Sequence, residues 1–521
     1  MRTLILTLWA LYVFSAAAQS PFSVKDSINI NRINALALVH GDMWWDPATG
    51  TAHCKFPPDS KKNVGFAAAL WLSGYDNAGK LHVAAQTYRQ DGNDHWPGPL
   101  DAPGTLSYAT SAKWAKIWKV RRSDITTFMA TTPHTVANTP AAILTWPAKG
   151  NSNAKGKDDA PLTITTDMAP FVDLNGDGNY QPLNGEYPDI EGDMALWWVF
   201  SDNGPRHDNT NGLPLGAEVH VMAYAYSRNT LIDYVVYYEY TIVNRSANNY
   251  HDVRMALWND GDMGYYMDDF IAFDPARRLG IIYNGTNDDG GSAGHPENSY
   301  GADPPAMGVT IVAQPGDGPG TYVPAGSFTY YNNDPSIIGN PVVDTEYNNY
   351  MRGKIRNGAA FAIPWGSWNE CTTGNTPGDR REILATNDFV LNAGAKAKVV
   401  LALVVDSVAK GCPSITFDGI KKITDTAWNI YHTYVDVDEA IPRYGTMRLY
   451  PNPVENILHM TSDMPGKMQV TIHDAVGRQI RYVADMNATD AVLDVHDLAP
   501  GTYVVTCRAG DRVERAVFVK Q

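Results

Sequence analysis

The sequence predicts an all-β protein: an antiparallel β-sandwich region with long loops and one closing helix, then a small Ig-like β-sandwich at the C-terminus. Three observations carry this. The 521-residue chain holds 28 Tyr and 14 Trp, residue types favoured on pleated surfaces. It also holds 44 Gly and 33 Pro, which interrupt helices and build turns. Its apolar residues fall mostly in short alternating runs bounded by turn residues, the period-two pattern of half-buried strands. At roughly 100–200 residues per domain the length implies two to four domains.

The chain begins with a predicted signal peptide over residues 1–18. Arg2 is a basic n-region, residues 4–14 an apolar h-region, and Ala16-Ala17-Ala18 a small-residue cleavage site, so the mature chain is expected to start at Gln19. The apolar run is shorter than the roughly 20 residues of a spanning helix, and no later segment reaches that length. The expectation is export across a membrane without a transmembrane segment in the mature chain.

Residues 19–440 read as a β-rich extracellular region. Stretches 66–72 and 81–88 are strands joined by Asp76-Asn-Ala-Gly79, a turn whose Asn and Gly tolerate positive φ. Residues 91–104 form a Pro- and Gly-rich loop. The 114–120 stretch alternates again, and residues 121–124 cap a short helix. The polar stretch 149–160 is a surface loop or an internal boundary. After an acidic loop at 173–193, Met194-Ala-Leu-Trp-Trp-Val-Phe200 reads as a buried strand. Residues 218–243 make a long hairpin broken at 227–230. Further strands are expected at 253–257, 308–312, 359–363 and 399–405, which together fit packed antiparallel sheets. From Asp418, Ile420, Ile423, Ala427, Ile430, Tyr431 and Tyr434 recur on one helical face, and 436–444 is the linker that follows.

Charge and cysteine usage narrow the chemistry. A formal net charge of −15 with no Lys/Arg cluster argues against nucleic acid as partner. Of four cysteines, Cys371 and Cys412 flank one strand-rich block and are the expected disulfide, while Cys507 lies in a separate C-terminal unit. No CxxC or Cys/His spacing supports a zinc site.

Residues 446–521 contain short strands at 468–473, 479–483, 491–495 and 503–507, punctuated by glycines. They carry Leu449-Tyr-Pro-Asn-Pro453, Asp474-Ala-Val-Gly-Arg478, Leu498-Ala-Pro-Gly-Thr-Tyr503 and a final Phe518-Val-Lys520. In this order the four motifs resemble the type A C-terminal sorting domain of the type IX secretion system. The resemblance implies passage to the periplasm by a signal peptide and delivery by the type IX machinery to the cell surface or the medium. Gly41-Asp-Met-Trp-Trp45, Ala84-Ala-Gln-Thr-Tyr-Arg89, Trp96-Pro-Gly-Pro-Leu100, the 170–200 block and Tyr300-Gly-Ala-Asp-Pro-Pro305 resemble a group of exported proteins of Bacteroidetes-type bacteria. That likeness bears on localisation and fold, not on mechanism.

The acidic loop is the expected metal site. Asp173, Asn175 and Asp177 occupy positions one, three and five of a calcium loop and Gly178 the sharp-turn position six. Asn179 would offer its carbonyl, and Tyr180 would point inward. Asn184 stands where an EF-hand requires a bidentate Glu, so the loop is closer to the DxNxDG loops of extracellular repeats and dockerin-like modules. Asp189 is the expected completing acid, chosen from Glu186, Asp189, Glu191 and Asp193. Crowded like charges need a cation or protons between them, and structural calcium is the expected cofactor. The alternative is a loop whose carboxylates cap backbone amides.

Other constellations point less far. Asp260, Asp262, Asp268 and Asp269 could bind a second cation or act as a glycosidase pair, but their closeness in one chain segment favours solvated turn residues. Gly290-Gly-Ser-Ala-Gly294 fits GxSxG without the strand and helix of a nucleophile elbow. Trp44, Trp45, Trp96, Trp365 and Trp368 sit in loop sequence, either stacking on sugars or plugging the sandwich ends. The functional expectation is a calcium-stabilised, non-enzymatic protein binding a glycan or surface component. A secreted carbohydrate-active hydrolase using Asp260, Asp262 or Glu239 is the alternative, and a matrix or filament role the third.

Overall fold

The computed structural model describes residues 24–88, 93–101, 104–318, 322–361, 368–434, 448–461, 467–474, 478–487, 491–509 and 512–521. The expected signal peptide, the 436–444 linker and Trp365 lie outside these residues. The chain divides into two units, Met1–Trp428 and Asn429–Gln521, with the division falling inside the helix Asp418–Tyr434.

In the first unit two antiparallel sheets face each other. One runs Ser327–Asn332, Arg380–Ala385, Tyr250–Asp260, Ala67–Asp76, Asp42–Met43, Asn34–Leu38, Cys54–Lys55 and Asn63–Gly65. The other runs Trp96–Pro97, Met194–Ser201, Ala217–Ala225, Val235–Asn244, Lys396–Asp406, Ala306–Ala313, Leu279–Asn284, Asp269–Asp274 and Trp368–Asn369. Shorter strands pair onto both.

Side-chain alternation explains the apolar runs. In Val235–Asn244, residues Val236, Tyr238, Tyr240 and Ile242 face the core between the sheets, where Leu70, Leu72, Met255, Leu257 and Leu384 meet them from the other sheet. The opposite face is covered too: Tyr237 donates from its hydroxyl to the Ala427 carbonyl at 2.8 Å, beneath the closing helix. Met194–Ser201 is likewise buried throughout. Leu196, Trp198 and Phe200 enter the core, while Trp197 packs outward against Trp118 and Trp146. A strand covered on both faces needs no polar alternation, and each such side chain contributes about 2–3 kcal/mol by leaving water.

The outer face of the first sheet is lined by Ala67, Ala69, Ala256 and Ala385 around Trp71 and Trp258, and Tyr347, Tyr350 and Met351 of the helix Asp344–Met351 cover it. The small residues let the stacked Trp71 and Trp258 rings and the helix approach. The 76–79 turn forms as expected: Asp76 Oδ1 accepts from the Ala78 and Lys80 amides, and Gly79 sits at φ 74°. The short helix Arg122–Met129 starts with Asp124 Oδ2 accepting from Arg121 N. The 149–160 stretch lies within the first unit, Gly150 N donating to Ile164 O and Tyr180 N to Lys149 O. The strand expected at 359–363 shows, in its described part, a single bridge between Ala360 and Lys354. Cys371 and Cys412 form the disulfide.

In the second unit a four-stranded sheet, Gln479–Asn487, Lys467–Asp474, Gly501–Ala509 and Arg512–Lys520, accompanies a three-stranded one, Arg448–Tyr450, Ile457–Thr461 and Ala491–Asp494. Leu458, Met460, Val470, Ile472, Leu493, Val505, Cys507 and Phe518 form its own core.

Candidate functional site

The acidic loop closes on itself through its carboxylates. Asp173 Oδ1 accepts from Gly176 N at 2.7 Å and Oδ2 from Gly178 N at 2.8 Å. Both glycines lie at positive φ, 76° and 74°, where a side chain would be strained. Asn175 Oδ1 accepts from Asp177 N, and Asp177 accepts from Asn179 N, the Asn175 amide and the Gln181 amide. Slight burial pushes the Asp173 carboxyl up, but the Gly178 and Gly176 amides outweigh it and hold it below the usual range. Tyr180 points inward as expected, its hydroxyl donating to Ile143 O at 2.9 Å.

The structure does not bring Asp189 to this loop. Phe171–Val172 pairs with Tyr187–Pro188 so that Val172 faces Tyr187, and this register sets Glu186 behind Asp173. Glu186 is buried and accepts from Leu174 N at 3.3 Å and Gln181 N at 2.6 Å. Burial raises its carboxyl, and Asp173 and Asp177 add to the rise against those amides. Asp189 is exposed past the ladder, with Arg122, Glu239 and Lys398 as its charged neighbours. Glu191 beside it is pushed up to about 7, by burial first and then by Asp189.

The second acidic cluster is not a set of solvated turn residues. Asp260 is the last residue of Tyr250–Asp260 and is fully buried. Alternation sends Ala256, Trp258 and Asp260 to the outer face of the first sheet, with Asp260 opposite Arg381. Arg381 Nη2 donates to Asp260 Oδ2 at 2.9 Å and to the Tyr88 hydroxyl at 3.1 Å, and its Nη1 pairs with Asp379. Asp260, Asp262 and Asp379 each place a carboxylate oxygen within 4.8 Å of the others. Asp262 and Asp379 are half-buried, so the group opens on one side. Asp260 Oδ1 is buried without a hydrogen-bond partner. Burial raises both the Asp260 and Asp262 carboxyls. Arg381 opposes the rise at Asp260, while Asp260 and Asp379 reinforce it at Asp262. Tyr88 forms the aromatic wall beside them, packed against Trp258, Trp45 and Phe66.

The other candidates separate. Asp268 and Asp269 cap loop amides of Gly290 and Met263. Glu239 lies on the outer face of the other sheet, paired with Lys398 at 2.8 Å, and does not meet Asp260 or Asp262. Gly290–Gly294 forms one 3-10 turn with Ser292 exposed and no helix after it, so there is no nucleophile elbow. Trp44 and Trp96 are core plugs, donating to the Tyr238 hydroxyl and the Arg206 carbonyl. Trp45 and Trp368 are half-buried, Trp368 stacked on Tyr330. Sequence reasoning missed Asp379, Arg381 and Tyr88. The signal available was the charged run Asp379-Arg-Arg-Glu382 opening a strand whose alternation must turn two of the four inward.

These features define an exported β-sandwich protein with a separate C-terminal β-module. Residues 448–521 match the secretion system C-terminal sorting domain, and that tail indicates export by type IX secretion to the cell surface or extracellular space. No helix among the described residues is long and apolar enough to cross a membrane. No curated protein matches the chain. Among solved structures it is similar to a polysaccharide lyase at 8% identity, with a TM-score of 0.19 over 58% of this chain and 34% of that one. A Faecalibacterium prausnitzii β-glucuronidase aligns at 12% identity, with a TM-score of 0.12 over 28% of this chain and 30% of that one. The adhesin domain of Epf from Streptococcus pyogenes aligns at 7% identity, with a TM-score of 0.12 over 56% of this chain and 81% of that one. The chain thus spans about a third of the length of the lyase and of the glucuronidase, and likenesses at these scores carry no assignment.

Proposed function

We propose that this exported chain is a non-catalytic surface protein, a β-sandwich stabilised by calcium at the 173–179 loop and binding a glycan or another surface component. The observation that supports it is the tight turn with Gly178 at φ 74° in the sixth position, which gathers Asp173, Asn175 and Asp177 into one short loop. This is the sharp turn a DxNxDG calcium loop requires. Asp173, Asn175, Asp177 and the Asn179 carbonyl hold the ion, with buried Glu186 behind them in place of Asp189. Trp45 and Trp368, packed on Tyr88 and Tyr330, keep exposed edges as the aromatic surface for a ligand.

The carboxylate arrangement favours binding over hydrolysis. Asp260 and Asp262 come from one strand end on one wall, whereas glycosidase acids face each other across a substrate roughly 5 Å or more apart. The test is twofold. Chelation by EDTA should lower the melting temperature of the full chain, and Asp177→Asn should abolish most of that difference; an unchanged melting temperature sinks the calcium reading. A panel of glycans should show retention without turnover, and turnover abolished by Asp260→Asn sinks the non-catalytic reading.

A further inference from the structure

The group formed by Asp260, Asp262 and Asp379 stands apart from the acidic loop and has a charge problem of its own. Three carboxyls converge, and Arg381 is the one guanidinium bonded to them among the described residues. Arg381 uses Nη2 on Asp260 Oδ2 and Tyr88, and Nη1 on Asp379. That leaves Asp260 Oδ1 buried with no donor unless the neighbouring Asp262 carboxyl carries a proton to share with it, and Asp260 itself is wholly shielded from water. A buried carboxylate oxygen without a donor is costly, more so when charged, unless something outside the protein satisfies it.

We propose that Asp260, Asp262 and Asp379 form a second binding site, independent of the 173–179 loop, for a hard divalent cation, calcium in the extracellular medium. Carboxylate oxygen donors without nitrogen or sulfur select hard ions of the calcium and magnesium class. A divalent ion together with Arg381 balances three carboxylates in charge. Asp260 Oδ1 is the oxygen without a donor that an ion would satisfy, and the small exposed edges of Asp262 and Asp379 are its way in. Arg381 is a positioning residue: by gripping Asp260 and Asp379 together it fixes two of the three ligands. The site then ties the end of Tyr250–Asp260 to the start of Arg380–Ala385, beside the wall formed by Tyr88 and Trp258.

The experiment is calcium titration by calorimetry on the full mature chain after EDTA treatment and dialysis, with terbium luminescence excited through the neighbouring Tyr88 and Trp258 as a second readout. Asp177→Asn, which disables the loop, should retain one calcium equivalent and the sensitised terbium signal. Asp262→Asn should lose one equivalent relative to wild type and the part of the signal that survives in Asp177→Asn, and Asp379→Asn should do the same. In EDTA, Asp262→Asn should melt no lower than wild type, because it removes a charge repulsion; this separates lost binding from lost folding. If Asp262→Asn and Asp379→Asn fold and keep the wild-type calcium count, the three acids share protons and the proposal is overturned. Loss of all calcium in folded Asp177→Asn overturns it equally.

Discussion

Asn259 and Glu382 meet between the two sheets, with Asn259 Nδ2 donating to Glu382 Oε1 at 3.0 Å, and each is left with a buried oxygen that has no partner. They are the inward-facing neighbours of Asp260 and Arg381 on the same paired strands. Burial drives the Glu382 carboxyl up to about 7 against the opposing Asn259 bond, and the proton it then holds turns an orphan acceptor into a donor.

This fixes the sign of a pH dependence. The folded chain holds the Glu382 proton above the pH at which the unfolded chain releases it, near the ordinary value of 4.5. Stability from this group is fully present below that value and is lost as pH rises toward about 7, at roughly 1.4 kcal/mol per pH unit. Glu382→Gln, which keeps the acceptor and cannot ionise, should remove that slope and be the more stable form at pH 8. Urea melts of both proteins from pH 5 to pH 8 measure it, and parallel slopes contradict the account.

Gly280 makes room for this acid from the opposite sheet. A Cβ built there would lie 2.7 Å from the Phe328 ring and 2.8 Å from Glu382 Oε2. Gly280→Ala should therefore destabilise the chain by about 1–3 kcal/mol through overpacking. Pairing it with Glu382→Gln should recover little, since the Phe328 ring, stacked on Phe273, stays in the way. Chemical denaturation of the single and double variants reads both effects.

Strand existence was legible wherever one rule sufficed. Residues 234–243 had to be a strand because they are almost continuously aromatic and β-branched, and the Asp76–Gly79 turn was legible in its Asn and Gly, although only Gly79 takes the positive φ and Asp76 caps the turn. What could not be read was pairing across long separations. Asp379 joins Asp260 only because Arg380–Ala385 lies beside Tyr250–Asp260, and nothing local in the sequence records that neighbour. The same gap misplaced Asp189: acid content could rank four completing carboxyls, but only the Val172 to Tyr187 register turns Glu186 to the loop. The helix Asp344–Met351 is two turns long, too short for its Tyr347, Tyr350 and Met351 face to stand out from an alternating run.

The disulfide between Cys371 and Cys412 spans 41 residues and anchors a turn whose Cys371 amide donates to the Tyr283 hydroxyl at 3.1 Å. Closing a loop of that length stabilises by roughly 3–4 kcal/mol in the chain-entropy account. Cys371→Ser with Cys412→Ser should lower the unfolding midpoint accordingly. Reducing agent should shift the wild-type chain by a similar amount and leave the double variant unmoved, because the other described cysteines, Cys54 and Cys507, are buried and free.

Export and folding are carried by separate cores. Residues 448–521 have their own hydrophobic cluster around Leu458, Val470, Val505 and Phe518, and the large sandwich has another around Trp198, Leu257 and Leu401. A chain ending at residue 447 therefore keeps every strand of the sandwich while losing the sorting domain. In the native host it should reach the periplasm folded and be missing from the surface and the medium. Fractionation followed by protease protection reads this, and a truncated chain that still appears outside the cell would show that the large region carries an address of its own.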